Sequence, residues 1–358
     1  MSKHELWQDL PSLRQLFVCQ YSIPIGWLTA PNLVHLALDE PGYGRTLTVR
    51  SILDALRGCP KLETLFISDS CIDWDPTCGY SPVSLPHLRS IELGEDEVSS
   101  GLVTHLQLPQ NVAAGFRMLP MVTIWGNIPP GAIATMQHVL GRIDIRCITL
   151  AVPPFSRKDL DVLVRFEGLQ GSLEISAYAE VEEDLRDVCF GPEGVLFSHS
   201  PRIEDVRELH IIGCPFVDGW RLDHLNVAMP SVVSISFFHY EGPNVFGPLT
   251  PTNTSSPPFP RLERFMVLGP ETGLGVMAKA RRDYGVPLKT LVVGRGSGVF
   301  KYDRVEDYAA LGEVVDELHT GCPTEILEWE SSNEILNFWS TIEIPCPVSP
   351  NGELMIAG

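Results

Sequence analysis

The sequence predicts an α/β solenoid with a parallel sheet along one side and helices along the other. Three observations predict it. A proline-led apolar phrase recurs along the chain, its copies are spaced by the length of one strand-turn-helix unit, and amphipathic stretches with start and stop signals fall between the copies.

The first copy is Pro11-Ser12-Leu13-Arg14-Gln15-Leu16-Phe17-Val18. It returns at 31–38, 60–67 and 86–93 as Pro-x-Leu-x-x-Leu-x-Leu, with Ile replacing Leu in places. Weaker copies keep the apolar triad: Ile145/Ile148/Leu150, Val206/Leu209/Ile211, Val232/Ile235/Phe237, Leu262/Phe265/Val267 and Leu288/Leu291/Val293. Within each run of copies, successive prolines lie 20 to 30 residues apart, the period of leucine-rich repeats. The last two apolar positions are two residues apart and share one face of a strand, while the residues around them point the other way. The proline cannot continue a helix and biases its predecessor toward extended backbone, so it marks where each strand begins.

Between strands, Thr48 to Arg57 carries Val49, Ile52, Leu53 and Leu56 on one helical face and stops at Gly58. Pro130 to Leu140 carries Ile133, Met136 and Leu140 and stops at Gly141; Leu274 to Tyr284 is closed by Gly285. Ser156-Arg157-Lys158-Asp159 reads as a capping-box start for a helix bearing Leu160, Leu163 and Val164. Asp303 with Glu306 reads likewise for a longer helix bearing Tyr308, Leu311, Val315 and Leu318. Each unit is too small to bury its own apolar face, so stacking stabilises them.

The predicted fold is therefore α/β: an irregular leucine-rich-repeat solenoid (horseshoe) with a parallel concave sheet and helices on the convex side, of about a dozen units within residues 1–344. It is irregular because the Asn or Cys that normally follows the triad occurs only as Cys214, and because 94–196 is less periodic than either end. Residues 242–260 hold six prolines, which excludes regular structure and predicts a mobile loop; 345–358 is expected to be a frayed tail.

The chain has 358 residues, 44% apolar and 20% charged, with a mean hydropathy of +0.08, ample for a large core. Its net charge of −19, with no basic cluster beyond Lys279, Arg281 and Arg282, argues against nucleic acid as a partner class. No signal peptide or membrane span is visible, and nine cysteines without a CxxC pair read as reduced thiols, so a cytoplasmic or nuclear location is expected. Cys71 and Cys78 could bridge in an oxidising compartment. No HExxH or GxSxG motif occurs, the ten histidines lack metal-ligand spacing, and Gly294-Arg295-Gly296-Ser297-Gly298 is GxGxG rather than GxGxxG. No catalysis, metal or cofactor is expected.

The phrases Leu10-Pro11-Ser12-Leu13-Arg14-Gln15-Leu16, Leu53-Asp54-Ala55-Leu56-Arg57-Gly58-Cys59-Pro60-Lys61-Leu62-Glu63-Thr64-Leu65 and Leu85-Pro86-His87-Leu88-Arg89-Ser90-Ile91 resemble the repeat portion of fungal F-box/leucine-rich-repeat proteins. Gly101-Leu102-Val103-Thr104-His105-Leu106-Gln107-Leu108-Pro109 is similar to a phrase following the fourth repeat in that group. The resemblance is sharp over 10–120 and general thereafter. It implies an adaptor whose repeats hold a protein for ubiquitylation, while an F-box docks on the Skp-type linker of a cullin ubiquitin ligase. No stretch here resembles the F-box itself, so linker and cullin are implied partners only through an F-box elsewhere. A stand-alone leucine-rich-repeat scaffold unconnected to ubiquitylation is the alternative.

The strand phase selects a surface. If the triads face the core, His210 and Ile212, Phe238, and Arg264, Met266 and Leu268 line the concave sheet. Ile212, Phe238 and Leu268 then stack as an exposed apolar strip with His210, Met266 and Arg264 beside it, which predicts the partner-binding patch. The alternatives are that the Pro-rich loop or the tail covers the strip, or that the phase is off by one residue.

Overall fold

Each of the nine copies forms the strand its triad predicts, and four further strands join them in one sheet. The computed structural model describes residues 12–19, 30–39, 47–68, 72–73, 79–94, 101–118, 130–151, 160–169, 171–179, 202–212, 219–238, 246–252, 256–268, 273–294 and 308–321. In chain order the strands are β1 (Gln15–Cys19), β2 (His35–Asp39), β3 (Thr64–Ser68), β4 (Ser90–Leu93), β5 (Val112–Met118), β6 (Ile145–Ala151) and β7 (Leu160–Gly168). Then follow β8 (Gly171–Ala179), β9 (Glu208–Ile212), β10 (Ser234–Phe238), β11 (Arg264–Leu268), β12 (Thr290–Gly294) and β13 (Glu317–Gly321).

The 13-stranded sheet has the order β1-β2-β3-β4-β5-β8-β7-β6-β9-β10-β11-β12-β13. Only β7 is antiparallel to its neighbours, pairing with β6 on one side and β8 on the other; every other pairing is parallel. The molecule is thus α/β with a large, mostly parallel sheet.

The triads form the core. All three apolar positions of all nine copies are buried, from Leu13, Leu16 and Val18 to Leu288, Leu291 and Val293. The helices close the same core from the other side: α1 (Val49–Arg57), α2 (Pro130–Leu140), α3 (Gly219–Ala228), α4 (Phe246–Leu249), α5 (Leu274–Tyr284) and α6 (Tyr308–Gly312). Thr48 caps α1 through a capping box with Ser51, and Gly58 ends it. None of the described helices is long and apolar enough to cross a membrane.

The recurrent proline has a more specific role than marking extended backbone. Pro31, Pro60, Pro86, Pro230 and Pro260 each sit second in a turn whose fourth residue donates its N–H to the carbonyl of the first, at 2.9 to 3.3 Å. Proline's fixed φ presets that position. The turn ends at the first apolar residue of the triad, as in Cys59 to Leu62, and its opening residue is itself buried at all five sites. Just before the strands a second ladder runs between copies: the Val34 carbonyl accepts the N–H groups of Glu63 and Thr64, and that of Glu63 accepts those of Arg89 and Ser90.

Three expectations are corrected. Leu160–Gly168 is strand β7, not a helix. From Val164 to Glu167 apolar residues alternate with polar ones, and Val164 and Phe166 are buried while Arg165 and Glu167 are not, a period of two that outweighs the helical spacing of Leu160, Leu163 and Val164. The helix expected to run through Leu318 ends at Gly312; Leu318 lies on β13. The 242–260 stretch is not irregular throughout, since α4 forms within it and Phe246, Leu249 and Phe259 join the core. Phe246 meets Phe265 edge-on, with centroids 6.1 Å apart. The expectations for 156–159, 295–298, 303–306 and 345–358, and for Cys71, Cys78 and Cys214, fall outside the described residues.

Candidate functional site

The face of the sheet opposite the core is set by the residues between and beside the triad positions, and parallel register aligns them into rows. One row begins with Phe17, Ala37, Phe66, Glu92 and Gly115 across the first five strands. It continues through Glu174, Arg165, Thr149 and His210 to Ser236, Met266, Val292 and His319. The register of the nine copies is as predicted.

Exposure along the row is not. From β1 to β3 the side chains are half-buried: Phe17, Ala37 and Phe66 reach solvent, beside His35, whose Nδ1 lies 2.7 Å from the Thr64 hydroxyl. On β6 and on β9 to β12 the row is buried, with His210 4% exposed and Met266 fully enclosed. Ile212 is also buried, and Arg264 is half-buried. The predicted exposed strip is therefore corrected at His210, Ile212 and Met266, while Arg264 keeps partial exposure. Backbone register does bring Ile212, Phe238 and Leu268 together as successive lateral partners; the side chains of Phe238 and Leu268 lie outside the described residues. The polar-outside pattern of a half-solvated sheet does not extend to these strands, and apolar residues at alternate positions on both faces follow from burial on both faces.

The inserted β7–β8 hairpin creates a second feature, a charged cluster in mid-sheet. Cys147 on β6 has Glu167 of β7 as register partner on one side and Glu208 of β9 on the other. Arg165 Nε lies 2.7 Å from Glu167 Oε1, and His210 Nε2 lies 3.7 Å from Glu208 Oε2. Ligand-capable atoms of Cys147, Glu208 and His210 all fall within 4.8 Å of one another.

Electrostatics in the cluster follow from burial and charge. Desolvation pushes the Cys147 thiol well above its ordinary value, and the carboxylates of Glu167 and Glu208 add to it, so Cys147 is a protonated thiol rather than an activated nucleophile. The His210 imidazole holds Glu208 below the usual carboxylate range despite partial burial, helped by Arg264. Burial raises Glu174, with Arg165 opposing. Cys59, buried at the opening of its proline turn, is raised to about 11 and is a core residue.

No motif spacing announces this cluster, because Cys147 and His210 are 63 residues apart in sequence. A register signal was present: Cys147 and Glu208 each precede the second apolar residue of their triads, which makes them lateral neighbours once β6 and β9 pair. What hid it was the hairpin, whose place in the sheet the repeat does not encode. No family model and no curated protein matches the chain.

Proposed function

We propose that the chain is a non-catalytic protein-interaction module, a leucine-rich-repeat horseshoe resembling the substrate-recognition repeats of an F-box adaptor for a cullin-type ubiquitin ligase. The observation that carries this reading is the solvent-reaching row Phe17, Ala37 and Phe66, with His35 and Thr64 beside it, on adjacent parallel strands of the face opposite the core. Aromatic anchors on a rigid sheet with polar neighbours suit a protein ligand. The buried thiol, held protonated between carboxylates, offers no nucleophile.

The test is quantitative capture of proteins from a fungal lysate by the immobilised full chain, with Phe66→Asp and the outer-face variant Val276→Asp in parallel. The reading expects a saturable partner that Phe66→Asp loses and Val276→Asp keeps. Recovery of a Skp-type linker and cullin together with that partner supports the adaptor role; recovery of the partner alone makes the chain a stand-alone scaffold. A capture profile unchanged by Phe66→Asp overturns the proposed surface.

A further inference from the structure

We infer that Cys147, Glu208 and His210 form a binding site for a divalent transition metal ion of the zinc class. Among the described residues they are the one group of three such side chains whose ligand atoms converge, all within 4.8 Å. A tetrahedral ion with bonds of about 2.0–2.3 Å holds its ligand atoms roughly 3.3–3.8 Å apart. A nitrogen–oxygen pair lies at the short end of that range, about 3.3–3.4 Å, and the 3.7 Å between His210 Nε2 and Glu208 Oε2 is a few tenths of an ångström longer, so a short swing of the side chains is needed to close the set.

The backbone holds the three ligands in place. Glu208 and His210 are two residues apart on β9 and share a face, and Cys147 is the register partner of Glu208 on β6, within the interior of a sheet paired on both sides. The site is graded from dry to wet: His210 is 4% exposed, Cys147 is half-buried, and the Glu208 side chain is 53% exposed, which leaves an open side for the ion to enter and for a water or Glu167 to complete the coordination.

The donors also select the ion. One sulfur, one imidazole nitrogen and one carboxylate oxygen suit zinc or cobalt and do not suit magnesium or calcium, which take oxygen ligands. Binding of the ion would displace the Cys147 thiol proton, and the resulting thiolate with a carboxylate matches the charge of a divalent ion. The nearby charges are Glu167, paired with Arg165 at 2.7 Å, and Arg264, which acts on Glu208.

The experiment titrates Co²⁺ and then Zn²⁺ into the untagged, metal-stripped full chain, reading the thiolate-to-cobalt charge-transfer band and the thermal midpoint. The inference expects one equivalent of Co²⁺ with that band, displacement by Zn²⁺, and a midpoint raised by Zn²⁺. Cys147→Ser should abolish the band, and the partly exposed Glu208→Gln, chosen because it should leave folding intact, should weaken Zn²⁺ binding about tenfold or more. Absence of the band in the wild-type chain overturns the site. A band that survives Cys147→Ser overturns it equally, since it assigns the metal to another of the nine cysteines.

Discussion

At the scale of single residues, Arg281 shows how a charged side chain is used inside this core. It lies on α5 with no exposed surface, and its guanidinium donates to the carbonyls of Pro258 at 2.8 Å and Phe259 at 3.0 Å, with Leu249 at 3.4 Å. Burial lowers its pKa to about 10. These bonds tie the proline-rich stretch to the helix, and they meet Phe259 where its backbone is left-handed, at φ +44°. Asn226 holds the same residue from α3, its Oδ1 accepting the Phe259 N–H at 2.5 Å. Arg281→Leu strands those carbonyls in an apolar site and should cost about 3 kcal/mol or more in chemical denaturation. Glu174 gives a pH test. Its folded pKa is raised by burial, so the folded state binds the proton more tightly, and ionisation at neutral pH costs stability that is regained as pH falls through the raised value. Glu174→Gln should therefore raise the midpoint at pH 7, with the gain shrinking on acidification. A gain that does not change with pH would show that charge is not the cause.

Among the elements, the β7–β8 hairpin departs furthest from the repeat, and its glycines show how closely it is fitted. A Cβ on Gly168 would lie 2.4 Å from the Asp144 carbonyl oxygen, and one on Gly171, at φ +140°, would lie 2.6 Å from that of Val112. Both neighbours are backbone and cannot swing aside. Gly168→Ala should cost about 2 kcal/mol or more and shift amide-exchange protection at β6 and β7, whereas Thr48→Ala, which removes only the α1 cap, should cost about 1 kcal/mol. Amide exchange that leaves β6 protected in Gly168→Ala would contradict the pairing. These elements also mark what the sequence made legible. The nine strands with an apolar triad were readable because the triad repeats the same burial demand each time. Strand β5 was not, since Pro109 leads in at the repeat's spacing but Asn111 stands where the first apolar residue belongs, and β7 was misread because Leu160, Leu163 and Val164 also satisfy a helical period. Helix α3 carries Leu222 and Leu225 into the core, but no proline or capping phrase announced it.

At the scale of the whole molecule, the 13-stranded sheet that dominates the described residues has two kinds of outer face. The first strands leave Phe17, Ala37 and Phe66 in reach of solvent, while β6 and β9 to β12 bury the matching positions. Rows of this kind are legible in sequence, because register follows from the triads; their exposure is not, because it depends on what packs over the sheet. The sequence therefore pointed to the correct lateral neighbours, Ile212, Phe238 and Leu268, and to an exposure that Ile212 does not have. The most direct test of the account is the paired capture experiment, with wild-type and Phe66→Asp chains shown to have the same thermal midpoint. A saturable protein partner that is lost only with Phe66→Asp is expected. Retention of every captured protein by that variant, or no saturable capture by the wild type, would contradict it.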